Sequence, residues 1–213
     1  MFIDKNLKPK ASDDDDSDAY APVALFNDPI KVNDVDAYLD EDIGPPAKYR
    51  NLLHYMRTMD EHDRLRIWIN SYGGNADACL DIVDAMKNAK GDVTVIVTGM
   101  AASAASIIAL QAPKLVLGDR GMFMCHNGSF GAGGKVHEVS SRVKFTDKFF
   151  EALLRETYEH FMTPEEIQQC IDGKDFWFDN AESQRRLEAR HAAQEAAVKK
   201  AARKTKVKPA DAK

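Results

Sequence analysis

Apolar residues recur along this chain at two periods. Leu65, Ile67 and Ile69 alternate with Arg66 and Trp68, which predicts a strand. Val93–Val97 reads as a buried-type strand, and 115–117 and 122–125 as two more, separated by the turn Gly118-Asp119-Arg120-Gly121. A short strand is expected at 21–26, ended by Asn27-Asp28-Pro29. Between these runs the spacing changes to that of a helix. Tyr49, Leu52, Leu53 and Met56 form one apolar face behind Pro45-Pro46, and Cys79, Ile82, Val83 and Met86 form another, closed by Gly91. A small-residue helix is expected from Ser103 to Ala112.

This close alternation of strand and helix predicts an α/β fold of parallel, right-handed βαβ units. A glycine-rich loop, 128–134, follows the last strand. Val136, Val139, Val143, Phe150, Leu154 and Phe161 then stud a helix too long for a small domain to cover. Thr163 and Glu166 have the spacing of a capping box. Past Asn180 the sequence is rich in Ala, Arg, Glu and Lys, which predicts a solvated helix fraying into a tail.

The chain has 213 residues, of which 44% are apolar and 30% charged, enough for one domain with a core. Its longest apolar stretch, 93–112, is interrupted by Thr98, Ser103, Ser106 and Gln111, so no membrane span is expected. Three widely spaced cysteines, Cys79, Cys125 and Cys170, give neither a disulfide framework nor a zinc knuckle. With no apolar leader at the N-terminus, they point to a reducing cytoplasm. The net charge of −5 is uneven: residues 1–42 hold twelve acids against four lysines, and 196–213 hold seven bases against one acid. The run Asp13–Asp16 with Asp18 predicts a disordered arm over 1–20. The basic end reads as solvated, and nucleic acid is not the expected partner.

Two strand-to-helix junctions rich in small residues, Gly73-Gly74 and 99–103, could present backbone N–H groups to one point, as an oxyanion requires. Gly74 would also let a substrate carbonyl approach the backbone. The plainer alternative is a pair of tight turns. Ser103 at a helix start is either an N-cap or a nucleophile, and spacing does not separate the two. A nucleophile needs a base, and of six histidines only His126 ends a strand. An orienting carboxylate could come from Asp172, Asp175 or Asp179, which share one loop, and the pattern does not choose among them. Gly128–Val136 is not a phosphate loop, because Ser129 and Val136 occupy positions that need glycine and a hydroxyl. No cofactor site and no metal-ligand spacing is present in the pattern.

Ile69-Asn70-Ser71-Tyr72-Gly73-Gly74, Gly99-Met100-Ala101-Ala102-Ser103, Met124-Cys125-His126 and Lys174-Asp175-Phe176, in this order, resemble the Clp protease proteolytic subunit family, serine peptidases. The resemblance covers about 22–183 and is closest to divergent ClpP-like proteins of bacteriophages. It implies a crotonase-like stack of βαβ units with a protruding handle helix, over a protease domain 21–183. By the same resemblance, Ser103 is the nucleophile, His126 the base and Asp175 the orienting carboxylate, with Gly74 and Ala104 N–H groups as the oxyanion hole. The stretch holding Gly128, Gly131, Gly133 and Gly134 matches the family's handle strand, where a peptide substrate adds.

Implied partners are peptides or unfolded proteins and further copies of the chain, in heptameric rings or a tetradecamer. Capsid or scaffold processing in a phage is the implied setting. The acidic arm stands where the family has an apolar pore loop, which weighs against docking of an ATP-driven unfoldase. Residues 184–213, a charged helix and basic tail, replace the family's usual ending. Two other readings share the fold: a crotonase-type acyl-CoA hydratase or isomerase, and a catalytically silent assembly subunit.

Overall fold

The structure, a computed structural model, describes residues 32–206, and for 201–206 the backbone alone. The acidic arm, the strand expected at 21–26 and residues 207–213 lie outside the described residues. Strand β1 (Asp34–Leu39) pairs in parallel with β2 (Arg64–Ser71), and β2 with β3 (Asp92–Ala102). The far edge of β3 takes two partners in succession. Its first half pairs with β4 (Lys114–Leu117) and its second half with β5 (Met122–Cys125), both in parallel. Strand β6 (Phe176–Phe178) closes the sheet antiparallel to β5.

The parallel α/β expectation holds, with corrections at particular residues. β1 escapes a reading of apolar runs because acids alternate through it. Asp34 and Asp36 meet Arg66 on the neighbouring strand, with Asp36 accepting from Nε at 2.7 Å. β3 runs through Gly99 to Ala102, so those residues are strand rather than junction. Gly99 is small for a specific reason: a Cβ there would lie 2.3 Å from Asn70 Oδ1, which accepts the Met100 N–H. Gly91 ends no helix by a left-handed turn. A Cβ would strike the carbonyl oxygens of Asp63 and Asp60 at 2.5 and 2.6 Å.

Helix α1 (Arg50–Thr58) follows a 3-10 turn, Pro46–Tyr49, and α2 (Ala76–Asn88) connects β2 to β3. α3 (Ala104–Leu110) is buried along its whole length. Together they cover one face of the sheet, where Leu65, Ile67, Ile69, Val93, Val95 and Val97 point inward and are fully or almost fully buried. The intervening residues of β2 and β3 are half-buried or exposed, so the other face is uncovered by this part of the chain.

Helix α4 (Val136–Tyr158) protrudes as the resemblance implies. Residues 136–149 are almost all exposed, and only Leu154, Thr157 and Tyr158 are buried. The helix ends before Phe161: His160 adopts φ 64°, and the turn swings Phe161 into the core against Phe123 and Phe178. Helix α5 (Pro164–Ile171) has the expected capping box, Thr163 Oγ1 accepting from the Glu166 N–H. Helix α6 (Asn180–Lys206) is one helix across residue 183, and its first turns are not solvated. Ser183 is fully buried, and the Arg190 guanidinium donates to the carbonyls of Leu110, Thr157 and Glu159. No helix among the described residues is long and apolar enough to cross a membrane.

Candidate active site

Ser103 is the single residue between β3 and α3, and its backbone decides what its side chain can do. At φ 54° and ψ −123° it lies in a region that L-residues avoid, at a cost of about 1–3 kcal/mol. Its hydroxyl makes no capping bond to α3. Instead Oγ lies 2.7 Å from His126 Nε2. The cap alternative is therefore excluded by geometry. The main chain of Ser103 is held from both sides: its N–H donates to the Met124 carbonyl at 2.9 Å, and its carbonyl accepts from Ser106 Oγ at 2.7 Å.

His126 follows the last residue of β5 and is half-buried, whereas His54, His62, His137, His160 and His191 are all exposed. Asn127 fastens this strand end, donating through Nδ2 to the Ile171 carbonyl at 2.9 Å. The three candidate aspartates now separate. Asp172 accepts from Gln168 Nε2, and Asp179 accepts the Glu182 N–H at the start of α6. Asp175 faces His126, with Oδ1 3.7 Å from Nδ1. That distance is ion-pair range and longer than a hydrogen bond. The aromatics after Asp175 form β6 rather than burying it, and its side chain is 55% exposed.

The glycine turn lies against the serine. A Cβ on Gly73, at φ 97°, would sit 2.7 Å from Ser103 Cβ and 2.9 Å from the Ala104 nitrogen. Gly74 is also held small by a neighbouring segment of the chain. A Cβ there would meet the Ile43 carbonyl oxygen at 2.3 Å, because Ile43 bridges to this turn. Among the described residues, neither the Gly74 N–H nor the Ala104 N–H has a hydrogen-bond acceptor. Both residues line the same cavity as Ser103 and His126, a space of about 190 Å³.

Gly128 belongs to that cavity too, with its Cα packed so closely on Phe150 that a Cβ would touch the ring at 3.0 Å. Gly131 and Gly133 have open space around them, and Gly134 turns the chain into α4 at φ 136°. None of these three lines the cavity, and the stretch forms no strand with the described residues.

The sequence did not place the larger apolar side chains of the cavity wall, among them Leu80, Ile107, Phe150 and Leu153 on α2, α3 and α4. Only Phe150 of these stands in an apolar pattern read from the sequence, and that pattern does not say what it packs against. Cys79 also lines the cavity, but burial pushes its thiol up to about 12, leaving it unreactive at neutral pH. No carboxylate lines the cavity, and no cluster that could hold a metal ion is found among the described residues.

A histidine within 2.7 Å of a hydroxyl, beside two unpaired N–H groups in an apolar cavity, can deprotonate that hydroxyl and hold a developing oxyanion. The model of the Clp protease family matches residues 46–186. The ATP-dependent Clp protease proteolytic subunit of Bacteroides fragilis is 29% identical over 136 residues, covering 62% of this chain and 64% of that protein. The subunit of the same name from Streptococcus gordonii is 30% identical over 141 residues, covering 62% of this chain and 69% of that one. The match thus spans under two thirds of the Bacteroides relative's length.

Proposed function

The chain belongs to the Clp protease family, and from that premise we propose that it is a serine endopeptidase acting through Ser103, His126 and Asp175. His126 Nε2 takes the Ser103 proton as Oγ attacks a peptide carbonyl. The oxyanion is met by the N–H groups of Gly74 and Ala104. His126 then returns the proton to the leaving amine, giving an acyl-enzyme, which water hydrolyses by the same route in reverse. Asp175 orients the imidazole and offsets its charge when it is protonated.

The observation that carries this reading is the 2.7 Å contact between Ser103 Oγ and His126 Nε2, made by a serine whose strained backbone turns it away from capping. Leu80, Ile107, Phe150 and Leu153 give the adjoining space of about 190 Å³ an apolar wall. We infer preference for an apolar residue on the acyl side of the cleaved bond. Assembly into rings of seven that stack in pairs, with peptides or unfolded proteins as substrates, is inferred from the sequence resemblance, and the exposed α4 leaves a surface for contacts between copies. The phage setting of capsid or scaffold processing is inferred from the sequence resemblance alone.

A crotonase-type hydratase would need a carboxylate base, and the cavity has none. The test is hydrolysis of a fluorogenic peptide with leucine before the scissile bond. Ser103→Ala lowers kcat at least ~10⁴-fold while the protein stays folded. Unchanged turnover in that variant overturns the assignment.

A further inference from the structure

Behind the Ser103–His126 pair lies a buried polar group that the mechanism above does not use. Ser106 and Tyr158 are fully buried, on α3 and at the base of α4, and their hydroxyl oxygens are 3.1 Å apart. Ser106 Oγ also lies 2.7 Å from the Ser103 carbonyl oxygen. A carbonyl can only accept, so Ser106 spends its one proton there, and Tyr158 must be the donor in the other contact. The order is fixed: Tyr158 O–H to Ser106 Oγ, and Ser106 O–H to the Ser103 carbonyl. The Tyr158 proton is firmly held, since burial pushes that phenol well above its usual range.

The carbonyl of Ser103 and the N–H of Ala104 belong to one peptide unit. In a planar trans peptide the two bonds point in opposite directions, and no described peptide is cis. Whatever draws the Ser103 carbonyl inward therefore aims the Ala104 N–H outward, toward the cavity that Ala104 lines. Two helical N–H groups, from Ser106 and Ile107, also reach this carbonyl, at 3.0 and 3.2 Å. The Ser106 hydroxyl is the shortest of the three contacts and approaches from a side chain, and Tyr158 polarises it further.

We propose that Ser106 and Tyr158 are positioning residues, a two-hydroxyl relay that sets the Ser103–Ala104 peptide plane and so the direction of the oxyanion donor. The inference rests on the serine-peptidase reading. The relay touches no substrate, so its effect falls on the tetrahedral transition state and leaves ground-state binding alone.

The test compares wild type, Ser106→Ala, Tyr158→Phe and the double variant, in peptide hydrolysis and in the rate of labelling by a fluorophosphonate, whose phosphonyl oxygen gains negative charge in the same hole as the serine attacks. Losing a whole oxyanion donor costs on the order of 10²–10³-fold, so a misaimed one is expected to cost less. Ser106→Ala lowers kcat and the labelling rate about tenfold with KM unchanged. Tyr158→Phe lowers them about threefold. Because the two act in series, the double variant stays near tenfold, where independent effects would multiply to about thirtyfold.

Melting curves of all four proteins show that the folded fraction is equal at the assay temperature. Rates within twofold of wild type in Ser106→Ala, a change confined to KM, or multiplicative losses in the double variant overturn the relay. If the wild type neither labels nor cleaves, the peptidase reading fails and takes this inference with it. If the wild type is active and Ser106→Ala is its equal, only the relay falls.

Discussion

At the scale of single residues, backbone conformation decides as much as side-chain identity. Ser103 keeps φ 54° because both of its backbone groups are anchored, by Met124 on β5 and by Ser106 on α3. Asp175 is the least constrained member of the trio, 3.7 Å from the imidazole and 55% exposed. Its removal should therefore cost less than loss of a buried, hydrogen-bonded carboxylate, which runs to ~10⁴-fold. Asp175→Asn is expected to lower kcat about 10²-fold. A kcat unchanged in Asp175→Asn, or reduced as far as in Ser103→Ala, contradicts that placement. The sequence named Ser103, His126 and the two glycines through their order around predicted strand ends. It left the cap-or-nucleophile question open, because φ and ψ at one residue leave no mark in composition. It also left three aspartates open: two of them act in local helix contacts, at Gln168 and Glu182, that only the folded chain reveals.

At the scale of elements, the strands and helices with clean periodicity were legible, and two of the exceptions, β1 and α6, share one cause: contacts across elements override the local pattern. Acids at Asp34 and Asp36 disguise β1, yet they are the partners of Arg66. Three aromatics in β6 are too few to show a period. Helix α6 reads as solvated because its anchors are arginines. Arg186 stacks on Phe178 and pairs with Glu166 at 2.7 Å and Glu182 at 2.6 Å. These bonds give α6 an acid dependence. Arg186 holds the Glu166 carboxyl below its usual range, and Arg185, with Arg186, holds Glu182 at about 2. A carboxylate lowered in the folded state stabilises fully above its unfolded value of ~4.3, and that gain is lost as pH falls through the folded value. The melting temperature of the wild type should therefore fall between about pH 4.5 and 2. Glu166→Gln can keep the capping box at Thr163 but not the ion pair. It should cost about 1–2 kcal/mol at pH 7, between the exposed and buried limits, and flatten the acid limb. Parallel pH profiles for the two proteins would contradict this role for Glu166.

At the scale of the whole molecule, the surface left uncovered matters most. On α4 the rings of Phe145 and Phe149 stack at 6.4 Å between centroids with Phe145 73% exposed, an apolar patch that one chain does not bury. If copies of the chain meet there, Phe145→Asp with Phe149→Asp should shift the protein to a smaller species on size exclusion while its monomeric fold survives. An unchanged elution volume would place the assembly contact elsewhere. The central claim, that Ser103 is the nucleophile of an assembled serine peptidase, is tested most directly by fluorophosphonate labelling of size-fractionated protein, with the adduct located by mass spectrometry. The account predicts one adduct per chain on Ser103 in the oligomeric fraction, and none in Ser103→Ala. An assembled, folded wild type that takes no label, or a label that persists in Ser103→Ala, would contradict it.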